Sequence, residues 1–188
     1  KMKSILMSIR PEWCKKIFDG EKTIEVRKTR PLIDMPFKVF MYETKAQFVK
    51  SIRGACTTFG YGRGKVIGSL VCDKIEKIDL QAQCTATLSE RWTFNRIAKQ
   101  ACLTAEQLNE YLSGNNGYSW HITEPKLFDK PRDITEFAIY GRCAEDCDEY
   151  DICARDSEEG RMSCKFFKRT FLKRPPQSWC YVEEEECQ

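Results

Sequence analysis

A short segment in which charged and apolar side chains alternate constrains this chain more than any other feature. Over residues 23–29 the alternation runs through Ile24, Glu25, Val26 and Arg27. Since successive side chains of a strand point to opposite faces, this period of two predicts a strand with one charged face. Glu25 and Arg27 share that face and are close enough to pair with each other or to reach one ligand.

Lys22 precedes this strand and is out of phase with its charged face. Lys22 and Glu25 can meet only if Lys22 lies in a turn ahead of the strand, which Gly20 permits. In a partly buried cleft such a lysine could lose its proton and act as a base or nucleophile, and Glu25 could transfer a proton. The alternative is an ion-paired strand on a solvated face.

Short strands dominate the remainder of the chain, with helices inserted between them. Apolar runs predict strands at residues 5–9, 37–42 and 65–72, the last covered on both faces. Two helices follow, and Thr104 and Gln107 form a capping box at the start of the second. This mixture predicts an α+β domain around a small, strongly curved sheet.

Residues 53–64 combine four glycines with cationic and aromatic side chains. The composition predicts a mobile basic loop, in which cations follow a phosphate backbone and rings stack on unpaired bases. The candidate nucleic-acid contacts of this loop and its end are Arg53, Tyr61, Arg63 and Lys65. The alternative is a solvated connector whose glycines only turn the chain.

His121 is the only histidine of the chain, which excludes metal sites built on paired histidines. In an alternating strand it lies on the side of Ser119 and Thr123, away from Trp120. That side could face a binding cleft. The alternative is a half-exposed strand histidine that donates to a backbone carbonyl.

Charge is distributed unevenly along the 188 residues. Residues 1–142 contain 24 basic and 16 acidic side chains, a net +8, whereas residues 143–188 contain 7 and 12, a net −5. A chain of this length is expected to form one compact domain with an extension, and the change of sign near Cys143 is the predicted boundary. The basic domain indicates an anionic partner such as RNA, and the acidic extension could bind another protein.

Four of the 11 cysteines lie at short separations in the polar extension. They form a C-x3-C-x5-C-x10-C pattern: Cys143, Cys147, Cys153 and Cys164. Four thiolates suit a structural Zn²⁺ ion, which would supply folding energy that this segment cannot obtain from apolar burial. Free or oxidisable thiols and an iron–sulfur cluster are the alternatives, and Cys180 could replace one ligand.

No apolar run is long enough to span a membrane. The apolar stretch at residues 5–9 is also too short for a signal peptide. We therefore expect a cytoplasmic protein, whose cysteines are buried, bind metal or react rather than form disulfides.

Residues 17–27 resemble the signature of the ASCH family, G-x-K-x-x-E-x-R, which here is Gly20, Lys22, Glu25 and Arg27. Later segments agree with the family in their order along the chain: residues 64–68, 118–122, 129–131 and 134–137. The resemblance covers roughly residues 4–142. The ending at residues 174–182 is similar to that of phage and gut-bacterial ASCH proteins with cysteine-rich tails.

This resemblance implies a PUA-like β-barrel with inserted helices and a cleft lined by the motif strand. The superfamily largely binds RNA or modified nucleobases, so Lys22, Glu25 and Arg27 would contact the ligand. Some small members resemble amidohydrolases of N4-acylated cytidine, which use the motif lysine, a threonine three residues later and a separate carboxylate. Lys22 matches that lysine, but Glu25 stands at the position of the threonine.

Three hypotheses for function follow. The first is an ASCH domain protein that binds RNA or a nucleobase-containing ligand in the cleft, with a zinc-stapled extension. The second is an enzyme that hydrolyses a modified nucleoside or cleaves RNA, with Lys22 and Glu25 as catalytic residues. The third is a phage or host accessory protein whose extension binds another protein, since a fold alone does not determine activity.

Overall fold

The computed structural model describes residues 3–52, 56–79, 88–143, 164 and 168–183. In these ranges the strands are β1 (Lys3–Ile9), β2 (Ile24–Arg27), β3 (Phe37–Glu43), β4 (Gln47–Ile52), β5 (Cys56–Tyr61), β6 (Lys65–Ile78), β7 (Gly117–Arg132), β8 (Ala138–Cys143), β9 (Arg169–Phe171) and β10 (Trp179–Glu183). The described helices are α1 (Pro11–Phe18), α2 (Leu88–Gln100) and α3 (Ala105–Leu112), and Ile134–Glu136 form a 3-10 turn.

Eight of these strands form one mixed sheet in the order β2-β7-β6-β3-β1-β10-β8-β9. β1 runs parallel to β3, and the other neighbours are antiparallel. The long pair β6 and β7 carries three register shifts, which bend a sheet and increase its twist. The predicted α+β class is confirmed.

β2 is buried along its whole length, because each of its faces has its own apolar cover. On one face Ile24 and Val26 pack against the apolar sides of α2 and α3. On the other face Glu25 lies opposite Trp120 of β7, which belongs to the cluster formed with β1, β3 and α1. The charged face of the predicted strand is therefore turned into the protein and not toward solvent.

The helix start, the turn and the helix cap near β2 form at the residues that the sequence predicts. Pro11 starts α1, whose buried side includes Cys14 and Ile17. Gly20 follows with a φ of +76°, a conformation that glycine adopts without strain. The predicted capping box of α3 is confirmed, because Thr104 accepts from the Gln107 backbone while the Gln107 side chain accepts from Thr104.

The predicted loop over residues 53–64 is wrong for much of its length. Residues 56–61 form β5, which pairs with β4 as a two-stranded antiparallel sheet. Thr57, Thr58 and Phe59 have high strand propensity, and β4 supplies the partner that a short strand requires. Arg53 lies outside the described residues.

The C-terminal segment contributes to the main sheet. β10 lies between β1 and β8, and β9 pairs with β8 at the edge. Residues 169–183 are thus part of the same sheet as β1, on the far side of the predicted boundary at Cys143. Among the helices of the described ranges, none is both long and apolar enough to cross a membrane.

Candidate functional site

A cavity of about 490 Å³ opens beside the charged face of β2. The side chains that give it chemical character are Arg10, Trp13, Lys22, Glu25, Arg27 and Tyr111. They come from α1, the turn after it, β2 and α3, so the cavity exists only once these elements have packed together. Three of the four charged groups are cationic, which favours an anionic ligand.

Lys22 lies in the turn between α1 and β2, as its convergence with Glu25 requires. Its backbone N–H donates to Lys16 at 3.0 Å, which closes the turn. Its Nζ donates to the Ala101 carbonyl at 2.8 Å and lies 3.2 Å from Oε2 of Glu25. The Lys22 side chain is 4% exposed, so its ammonium group is held in place by two oxygen acceptors inside the protein.

Glu25 bridges the two cations of the motif. Its Oε1 forms an ion pair with Nη2 of Arg27 at 3.0 Å, while its Oε2 lies 3.2 Å from Nζ of Lys22. The structure thus brings Lys22, Glu25 and Arg27 together as one buried triad. Burying three charges is costly unless each is paired and hydrogen bonded.

Two of the three guanidinium nitrogens of Arg27 donate hydrogen bonds, and the third does not. Nη2 also donates to the Ser8 carbonyl at 2.7 Å, and Nη1 donates to Oγ of Ser178 at 3.3 Å. Nε is buried and has no hydrogen-bond partner among the described residues. A buried guanidinium donor is expensive to leave unpaired, so Nη1 and Nη2 carry the hydrogen bonds that hold Arg27.

Two aromatic rings flank the cations. The Trp13 ring centre is 5.1 Å from Nζ of Lys22, within the range of a cation–π contact. Tyr111 lies on α3, lines the cavity and keeps 41% of its surface exposed. Burial around the phenol raises the pKa of Tyr111. The charge of Arg27 acts on this pKa in the opposite direction, because the hydroxyl lies near the triad.

His121 does not line this cavity. In the β2–β7 ladder it lies opposite Ile24, one residue out of step with the Glu25 and Trp120 pair, so it belongs to the other face of the sheet. Its Nε2 is 2.9 Å from Oε2 of Glu76, and its side chain is 23% exposed. It is thus a half-exposed strand histidine, paired with a carboxylate instead of a backbone carbonyl.

Glu76 is expected to make stability depend on pH in acid. Hydrogen bonds from Lys74 and then His121 lower the pKa of Glu76 from 4.5 to about 2. Because the folded pKa is depressed, its contribution to stability is present above pH 4.5 and is lost as the pH falls toward about 2. Urea unfolding midpoints measured across this range should fall less steeply for Glu76→Gln than for the unsubstituted protein. Parallel curves would contradict the assignment.

The other basic candidates lie away from the triad. The Arg63 side chain is exposed, and its backbone N–H donates to Glu43 at 2.7 Å. Lys65 forms an ion pair with Asp133. The structure describes Tyr61 only as the last residue of β5, and Arg53 not at all. Neither Arg63 nor Lys65 lines the cavity, so these residues do not join Arg27 in one site.

The cysteine pattern falls mostly outside the described residues. Cys147 and Cys153 are among those not described, Cys143 ends β8, and Cys164 is a half-buried free thiol. Within the described ranges no group of histidine, cysteine and carboxylate side chains could hold a metal ion. Zinc binding by the four cysteines therefore stays a prediction. Cys180, the possible substitute ligand, lies in β10, where burial raises the pKa of its thiol to about 11.

Several cavity residues have no motif that would reveal them in the sequence. Trp13 and Tyr111 occupy helix positions whose spacing is equally typical of core residues. Ser8 and Ser178 are brought together by the pairing of β1 with β10, across about 170 residues of chain. The only available signal for Ser178 is its position in the segment of residues 174–182 that resembles the ASCH ending.

Known proteins resemble this chain in structure and not in sequence. No family model matches it, and no curated protein matches it either. The crystal structure of the ASCH protein from Zymomonas mobilis has 18% identity and a TM-score of 0.54, covering 96% of this chain and 88% of that one. A serine-to-alanine variant of the same protein gives the same identity and TM-score, covering 89% of its chain. This chain therefore adopts the ASCH fold.

Proposed function

We propose that this protein binds single-stranded RNA by taking one nucleotide into the cavity beside β2. The observation that carries the proposal is the lining of this cavity, which combines the cations Arg10 and Arg27 with the rings of Trp13 and Tyr111. A nucleotide offers what these groups lack, an anionic oxygen for the guanidinium and a flat ring for the aromatic side chains.

The geometry favours binding over catalysis by Lys22. Two of its three ammonium donors are directed at Ala101 and Glu25, and the side chain is nearly inaccessible. A lysine that attacks a substrate needs a neutral, accessible amine. Lys22 and Glu25 therefore act together as the support that orients Arg27. Hydrolysis of N4-acetylcytidine that disappears in Lys22→Ala would instead favour the amidohydrolase alternative.

Removal of the Arg27 guanidinium is expected to weaken RNA binding. Fluorescence anisotropy of a labelled, mixed-sequence 12-nucleotide RNA at 50 mM NaCl should show at least a tenfold loss of affinity for Arg27→Gln, because charge-assisted bonds to an anion are lost. Tyr111→Leu removes a largely exposed ring and should cost about fivefold or more, as expected for one lost stacking contact.

Lys126→Gln is the matched control, since it removes an exposed cation from a distant part of β7. It should bind RNA like the unsubstituted protein. Tyr111→Leu keeps the test decisive if Arg27→Gln fails to fold. The proposal is wrong if the unsubstituted protein does not retain the RNA at this salt concentration, or if both site variants bind as well as the control.

A further inference from the structure

Two cation–aromatic pairs lie just outside the cavity and have no role in the triad. Nζ of Lys28 is 5.6 Å from the centre of the Tyr111 ring, and the guanidinium carbon of Arg30 is 5.8 Å from that of Tyr118. Lys28 and Arg30 are exposed, and neither forms an ion pair with any described residue. Their charges are thus available to solvent and to an anionic partner.

The two pairs continue outward from Arg27. Lys28 follows Arg27 directly at the end of β2, and Tyr118 is opposite Arg27 in the β2–β7 ladder. Tyr111 belongs to both regions, because it lines the cavity and also contacts Lys28. Two further cation–ring pairs thus lie within three residues of Arg27, and we take them as a path that leads from the cavity to Arg30.

The length of this path suits a polynucleotide. Arg30 is three residues after Arg27, so the path covers at most about 11 Å of extended chain. A stacked strand advances about 3.4 Å along its axis per nucleotide, so two or three nucleotides fit this span. The exposed ring of Tyr111 beside Lys28 and the half-buried ring of Tyr118 beside Arg30 offer stacking surfaces, which a partner that needs only positive charge would not use.

We propose that Lys28, Arg30, Tyr111 and Tyr118 form a second subsite, which binds the nucleotides adjacent to the one in the cavity. This inference rests on the proposed RNA binding and goes further, because it names the residues that hold the nucleotides on either side of the one in the cavity. The cavity selects one nucleotide, and the outer path holds its neighbours through phosphate and stacking contacts.

A length series separates the two sites. Uridine monophosphate and oligouridylates of two, four and eight nucleotides are titrated by calorimetry against the unsubstituted protein and against Lys28→Ser/Arg30→Ser. The unsubstituted protein should bind the four-nucleotide strand at least tenfold more tightly than the monophosphate. The double variant should lose most of that gain, while its affinity for the monophosphate falls by less than threefold.

Salt dependence gives an independent readout. Loss of two phosphate contacts should reduce the slope of log affinity against log salt by about 1.4 for the eight-nucleotide strand. Lys126→Ser/Lys130→Ser removes the same charge from exposed positions of β7, at least eight residues from Tyr118, and should keep both the length dependence and the slope.

The outcomes distinguish failure of this inference from failure of the proposed function. Binding of the monophosphate with no gain in affinity for longer strands would overturn the second subsite and leave the cavity proposal intact. Absence of binding at every length would overturn both. Equal competition by a sulfated polysaccharide of the same charge would show that the path binds charge alone, which also overturns the subsite.

Discussion

Replacing Glu25 by glutamine is expected to lower the free energy of unfolding by about 3–5 kcal/mol, because it leaves two buried cations without their shared carboxylate. Glu25 lies 3.0 Å from Arg27 and 3.2 Å from Lys22, and all three side chains are almost wholly buried. The amide keeps the shape of the carboxylate but not its charge. Urea unfolding followed by circular dichroism measures the loss.

Glu21→Gln is the matched control for this prediction. Glu21 lies one residue before Lys22, is 57% exposed and is 3.8 Å from Lys16, so its loss should cost less than about 1 kcal/mol. Replacing the whole triad by apolar residues, with Lys22→Met, Glu25→Leu and Arg27→Met together, should recover most of the stability. A cost for Glu25→Gln no larger than that of the control would show that the triad is solvated.

Trp120→Ala is expected to destabilise the protein by a similar amount, about 3–5 kcal/mol, since it empties the largest side-chain volume in the core. Trp120 is 1% exposed and packs edge to face on Phe37 at 5.8 Å between ring centres. It also contacts Trp179 of β10 at the same separation, so the substitution loosens the contact between β7 and the C-terminal strand.

Trp92→Ala tests the same change at an exposed position. Trp92 lies on α2 with 68% of its surface exposed, and its replacement should change stability by no more than about 0.5 kcal/mol. Differential scanning calorimetry of the two variants provides the comparison. If they unfold at the same temperature, Trp120 is not the centre of the apolar cluster that supports the charged face of β2.

The strand with a charged face could be predicted because its signal is local. Alternation over residues 23–29 defines the two faces of β2, and Gly20 marks the turn that lets Lys22 approach Glu25. The capping box of α3 is equally local, since Thr104 and Gln107 bond each other's backbone. Such features depend on neighbours in the sequence, so tertiary contacts do not have to be known.

Prediction fails where a long-range partner decides the structure. Four glycines over residues 53–64 predict a loop, yet pairing with β4 makes residues 56–61 a strand. Periodicity separates the two faces of the strand that contains His121 without showing which one adjoins Glu25. The register of β2 against β7 answers that question, and it places Trp120, not His121, opposite Glu25.

By itself the sequence determined the motif that supplies the charges, the turn that precedes it and the α+β class, because each follows from spacing within a few residues. Only the tertiary structure decided that the charged face of β2 is buried, since burial depends on what packs against Trp120 and Tyr111 from distant parts of the chain. It also brought Ser178 to Arg27 through the pairing of β10 with β1. A cavity forms where separate elements pack against each other, and a local sequence pattern does not show which elements those are.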